Sequence, residues 1–147
     1  MAYFMERKAE VTRGWPYDGA IDTVQAIKAA VTLVNGDWVE LQADGTVDKV
    51  SATKTNRAGL VIQGNGDSGS AAYTGKAVVL WTNFVVRVSN AVGSFTPGTA
   101  VTAQNGVLVP GVVGTDPILG HVLSVAAAGA DYASSGSVGS ITVKIGA

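Results

Sequence analysis

The stretch GKAVVLWTNFVVRV, residues 75–88, decides the fold. A Val-rich run ends in Leu80-Trp81, the chain passes through Thr82-Asn83, and a second Val-rich run follows with Arg87 as its only charge. Branched Cβ atoms pack well on a pleated sheet and lose rotamer freedom in a helix. The stretch therefore predicts strands over residues 77–81 and 84–89 with a turn between them.

The same bias runs through the chain. Valine occurs 23 times and leucine 7, and the 19 glycines fall mostly between the Val-rich runs, where turns need positive φ. Further strands are expected over residues 32–34, 38–42, 47–51, 59–63, 100–103, 107–109, 118–125 and 140–145. Asn35-Gly36, Asp44-Gly45 and Asn105-Gly106 are pairs that tight hairpin turns prefer, so each should reverse the chain. GDWVELQADGTV, residues 36–47, is echoed by GTAVTAQNGVLV, residues 98–109. Two copies make a repeated hairpin design and fall short of the three that a repeat array needs. Short, evenly spaced strands belong to sandwiches and small barrels. The expected fold is all-β: one small β-barrel or sandwich domain, residues 21–147, of about ten short antiparallel strands, preceded by an extended N-terminal arm, residues 1–20.

IDTVQAIKAAV, residues 21–31, fits two patterns. Asp22 could cap a short helix with Val24, Ile27 and Val31 on one face, and strand alternation is equally legible. GADYASSGSVG, residues 129–139, reads as a polar loop between the last two strands.

Composition narrows the function. A chain of 147 residues suits one domain. Charged residues are 14% of it, against about 25% in an average domain, so the surface is unusually uncharged and part of it should be covered by a partner. Ten basic and eleven acidic residues leave a net charge of −1 without runs, which gives no footprint for nucleic acid or an anionic membrane. The absence of cysteine excludes disulfides, thiolate metal sites and a cysteine nucleophile. MAYFMERKAEVTRGW carries charges where a signal peptide needs an apolar run, and no apolar segment approaches a membrane span. A soluble protein made in a cytoplasm is expected.

GNGDSGSAAYTG, residues 64–75, matches two enzyme motifs: Gly64, Gly66 and Gly69 spell the dinucleotide fingerprint, and residues 66–69 resemble the nucleophile loop of chymotrypsin-like proteases. A dinucleotide site needs a helix directly after the glycines to hold the pyrophosphate. Residues 70–74 are too few for one, and a strand follows. The protease reading needs a general base, and the single histidine, His121, comes after Ser68 in PILGHVLSV, within a predicted strand. His121 is expected to be hydrogen-bonded or half-buried there. The eleven carboxylates are scattered singly, and Asp37, Asp44 and Asp67 sit beside glycines as solvated turn residues. No enzyme activity, cofactor or metal site is expected.

The aromatic residues point elsewhere. Tyr3, Phe4, Trp15 and Tyr17, with Met5, precede the first clear strand and are interleaved with charges. Two readings stay open: Trp15 and Tyr17 plug one end of the barrel, or the arm docks on another subunit. The contact residues expected are Tyr3, Phe4, Met5, Trp15 and Tyr17, with Asp67 and Tyr132 in the two loops.

The segments LVNGDWVELQADG, AGLVIQGNGDSGSAAYTGKAVVLWTNFVVRVSN, TPGTAVTAQNGVLV and PILGHVLSV, in this order and followed by ITVKI, resemble the capsid decoration or cement proteins of tailed bacteriophages. The resemblance covers most of the chain beyond residue 31. It implies a structural virion protein on the outer surface of the head that bridges neighbouring major capsid subunits and braces the shell against packaged DNA. It also implies no cofactor and no reaction, with the major capsid protein as partner. Few charges together with aromatic and Val-rich surface candidates add further copies of itself, as a dimer or trimer, since closed symmetric oligomers are the common outcome for such patches. A tail or baseplate accessory protein could share the fold, as could a β-sandwich carbohydrate-binding module. A sugar binder groups aromatics on one face, whereas Trp38, Trp81 and Phe84 occupy positions that alternate toward a core.

Overall fold

A computed structural model describes residues 9–13, 22–67, 75–126 and 140–146. They form eleven strands and no helix: β1 Ala9–Arg13, β2 Asp22–Ala26, β3 Trp38–Leu41, β4 Val47–Lys49, β5 Ala58–Gln63, β6 Lys76–Leu80, β7 Phe84–Val88, β8 Ala100–Gln104, β9 Val107–Pro110, β10 Gly120–Ala126 and β11 Ser140–Ile145. Two antiparallel sheets result, one ordered β1-β7-β11-β10-β8-β9 and the other β2-β6-β5-β3-β4. The all-β expectation holds, in the form of a sandwich.

Residues 75–88 form the crossing point between sheets. β6 lies in the five-stranded sheet and β7 in the six-stranded one, so the turn at Thr82-Asn83, with Asn83 at φ 60°, carries the chain from one layer to the other. Side-chain alternation then builds two cores. Trp38, Leu60 and Leu80 stand side by side across β3, β5 and β6 and face Phe84, Val86, Val143 and Ile145 of the other sheet. Trp38 is fully buried and stacks on Phe84, centroids 6.4 Å apart and planes 15° apart. The intervening residues Val39, Val61 and Val79 point the opposite way into a second core with Leu33, Val47 and Ala77. β5 is consequently buried on both faces.

Both sheets are stitched at their rims. Ile27 bridges Val47 in parallel, joining the end of β2 to β4, and Ala91 bridges Leu108 in parallel, laying the continuation of β7 along β9. Thr55 exchanges both backbone hydrogen bonds with Ala103 and links the two sheets. Within this frame both echoed segments form hairpins, but of different design: Asn105-Gly106, both at positive φ, is the whole loop between β8 and β9, whereas Asp44-Gly45 lies in the five-residue loop 42–46 between β3 and β4 with only Gly45 at positive φ.

Of the two patterns open for residues 21–31 the strand is found: residues 22–31 supply strand β2 followed by a turn at Ala29-Ala30, with Thr23 and Gln25 alternating with the exposed Val24 and Ala26. Two details differ from the sequence expectation. Residues 32–34 are not a strand but a strap over the second core. Residues Ala9–Arg13, inside the segment read as an arm, form β1 and pair with β7.

Candidate functional site

The loop that carried the two enzyme motifs is an anchor for the strap. The side chain of Asn65 copies a strand partner: its Oδ1 accepts from the Leu33 amide at 2.8 Å and its Nδ2 donates to the Val31 carbonyl at 3.1 Å. The Gly66 amide donates to the Leu33 carbonyl at 2.9 Å. The Asp67 carboxylate accepts from the Gly64 amide at 2.7 Å and from the Asn35 amide at 2.9 Å, with a longer contact of 3.2 Å to Asn35 through its other oxygen. Asn35 is itself buried and donates through Nδ2 to the Ile62 carbonyl.

The glycines of the motif have the same cause. A Cβ on Gly64 would overlap the Leu33 carbonyl, and one on Gly66 would come within 2.8 Å of Thr32 Cγ2 and Val34 Cγ1. They are close-approach positions for the strap. Asp67 is thus occupied by backbone amides, and Asp37, expected as a solvated turn residue, is buried with its carboxylate on the Val34 amide. Tyr3, Phe4, Met5, Trp15, Tyr17 and Tyr132 lie outside the described residues, as does Ser68. His121 lies on β10 opposite Lys144 and Ala100 and is exposed, not half-buried as expected. Among the described residues no cluster of three or more His, Asp or Glu could hold a metal ion.

Two shallow clefts meet at Asn56 and Trp81. One, of about 340 Å³, is lined by Thr82, Ile118 and His121 among others; its neighbour, of about 440 Å³, is lined by Glu40, Leu41 and Arg57. Trp81 Nε1 donates to Thr23 Oγ1 at 2.8 Å, and the ring lies against Gly59, where a Cβ would come within 2.8 Å of Cε3. Trp81 is therefore held at the cleft and only partly taken into the second core, whereas Trp38 and Phe84 are core residues.

The exposed apolar residues are the feature that sequence reading missed. Val112 and Val113, 60% and 73% exposed, occupy the turn after β9. This turn is rigidly built: the Thr115 and Asp116 amides donate to the Val112 carbonyl, and the Asp116 carboxylate accepts from the Val112 amide at 2.8 Å and from Lys54 Nζ at 3.1 Å. The Val112 amide first, and then Lys54, hold the Asp116 carboxyl below its ordinary value. Val92 is also exposed; its amide donates to the Leu108 carbonyl beside this turn's strand, and Gly93 next to it lies close to Pro110. Leu123 and Val125 are exposed on β10. GVVGTD reads as a turn by its glycines, and only the carboxylate clasp explains why two valines are displayed on it. No family model matches the chain, and no curated protein matches it.

Proposed function

We propose that the protein is a structural virion protein that binds the outer surface of a phage head and cements neighbouring major capsid subunits. The observation that carries this reading is the display of Val112 and Val113 on a turn fixed by the Asp116 carboxylate, on a body with few charges. A preorganised apolar protrusion loses little entropy on docking and gains from water release, which suits a protein whose work is to bury surface against a partner. The resemblance of the sequence segments and their order along the chain, residues 75–88 above all, supports the same class.

The test is copurification with DNA-filled heads and a count of copies relative to the major capsid protein. Hundreds of copies support decoration, and about a dozen would place the protein at a vertex or tail. Val113→Glu, which puts a charge at the protrusion, should abolish head binding while leaving the far-ultraviolet circular dichroism unchanged. A second reading, a carbohydrate-binding module, is favoured by the cleft where Trp81 stands beside Asn56 and Arg57. Retardation on neutral polysaccharide gels that disappears in Trp81→Ala would select it over the capsid reading.

A further inference from the structure

Asparagine followed by glycine is reactive in water, because the glycine amide nitrogen can close on the asparagine side chain and no Cβ on the second residue obstructs it. This chain holds three such pairs, Asn35-Gly36, Asn65-Gly66 and Asn105-Gly106. Their sequences alone predict like reactivity, and the fold separates them.

Ring closure needs an asparagine side chain free to turn, and a following peptide unit free to rotate toward it. Asn35 is buried, its Nδ2 donates to the Ile62 carbonyl at 2.9 Å, and the Gly36 amide donates to the Val61 carbonyl at 2.9 Å. Asn65 is held at both side-chain atoms, by the Leu33 amide and the Val31 carbonyl, and the Gly66 amide donates to the Leu33 carbonyl at 2.9 Å. Side chain and nucleophile are thus both committed in these two pairs. Asn105 differs in each respect. It is exposed, its side chain makes no hydrogen bond among the described residues, and neither end of the peptide unit joining it to Gly106 is hydrogen-bonded there. That unit is the outer peptide of a two-residue loop, with φ 54° at Asn105 and 76° at Gly106, so it can rotate without breaking a hydrogen bond.

We infer that Asn105 is a self-modifying site of the folded protein, converted to aspartate and isoaspartate with water as the only co-reactant. The Gly106 amide nitrogen attacks Cγ of Asn105, and the new N–Cγ bond replaces the Cγ–Nδ2 bond. Nδ2 leaves as ammonia, taking up the proton that the Gly106 amide gives up. Water then opens the cyclic imide at either carbonyl: one cleavage restores the ordinary backbone with a carboxylate at 105, and the other routes the backbone through Cβ. The second product lengthens a loop built for two residues. Its tip is pinned on three sides: the Asn105 amide donates to the Ser51 carbonyl at 2.8 Å, and the Gly106 carbonyl accepts from the Trp38 amide at 3.1 Å and from Asn90 Nδ2 at 3.3 Å. The extra backbone atom pushes Gly106 off these donors. The inference is independent of the capsid reading.

The test ages the full-length wild-type chain in warm, mildly alkaline buffer and follows each pair by peptide mapping, with electron-transfer fragmentation to tell isoaspartate from aspartate. Conversion at Asn105 should run at least about tenfold faster than at Asn35 or Asn65, since each protected pair must first break two or more hydrogen bonds. In strong urea the three rates should converge. Conversion at Asn35 or Asn65 as fast as at Asn105 in the folded chain would overturn the inference, and so would the same order persisting in urea, because local sequence would then set it. The isoaspartate form, separated by ion exchange through its added negative charge, should show faster hydrogen exchange at the Trp38 amide than the unaged protein. Unchanged exchange there would overturn the structural consequence drawn for the hairpin tip.

Discussion

Asp67→Ala should unfasten the strap over the second core. The carboxylate accepts from two backbone amides, those of Gly64 and Asn35, at 2.7 and 2.9 Å, and Asn35 is buried. A hydrogen bond to a charged group contributes about 1.5–3 kcal/mol, and a buried donor left unpaired loses about 1–3 kcal/mol. Partial hydration at this half-buried loop lowers the sum, so the expected loss is about 3 kcal/mol, out of a total stability of about 5–15 kcal/mol for a domain. For a chain of this size that corresponds to roughly 6–12 °C in melting temperature. Asp67→Asn should lose about half as much: one oxygen serves both amides, and the amide nitrogen replaces the oxygen at the longer contact. Urea unfolding supplies the energies, and hydrogen exchange should speed up at the amides of Leu33, Asn35 and Gly64 before the rest of the protein. Equal effects from Asn and Ala, a loss for Ala under about 0.5 kcal/mol, or unchanged exchange at Asn35 would refute the reasoning.

Two substitutions separate the two reasons for glycine in this fold. Gly64→Ala meets the Leu33 carbonyl, a backbone atom that cannot swing aside, and should cost about 1–3 kcal/mol, whereas Gly45→Ala meets open space and should cost about 1–2 kcal/mol from its φ of 86° alone; urea midpoints and exchange at Leu33 tell strap displacement from turn strain. Trp38 Nε1 is buried without a hydrogen-bond partner among the described residues. Trp38→Phe sheds that unpaired donor and should cost under about 1.5 kcal/mol in denaturant unfolding, against about 3–5 kcal/mol for Trp38→Ala. Asp116, with its folded pKa depressed below 3.8, should stabilise wild type over Asp116→Asn at neutral pH. That advantage should shrink as pH falls below about 4 and vanish once the folded carboxyl is protonated, as seen by comparing urea midpoints from pH 7 to pH 2.

The parts of the fold legible in the sequence are those where local pattern and tertiary role agree. In β5, β6 and β7 the valines mark strands because both faces, or one whole face, are buried, and the Asp44-Gly45 and Asn105-Gly106 turns depend only on the residues that form them. The strap is not legible because Leu33 and Val34 look like strand residues, while the amides of residues 33–35 are satisfied by the side chains of Asn65, Asp37 and Asp67 in turn, the first and last of them 32 positions away. β1 was missed because AEVTR is short and charged, and its strand character comes from the β7 edge beside it. Asp67 stands out in the sequence for its place in a motif, whereas its role in the fold is to hold the Gly64 and Asn35 amides. The display of the valines at 112 and 113 depends on the clasp of Asp116 with the Val112 amide and with Lys54, 62 positions away, and no local pattern encodes that.

The position of β11 governs when this protein can finish folding. The strands of the five-stranded sheet, β2 to β6, follow one another without interruption and are all present once Leu80 has been made. The other sheet waits, because β11, the eleventh strand in order, is inserted between β7 and β10. At about 5–20 residues per second, the 65 residues from Trp81 to Ile145 take roughly 3–13 s to synthesise. Until β11 is made, the edge of β7, and later that of β10, lacks the strand that belongs between them. The completed half of the molecule must meanwhile keep Trp38, Leu60 and Leu80 uncovered, which makes this intermediate the species that holding chaperones would recognise.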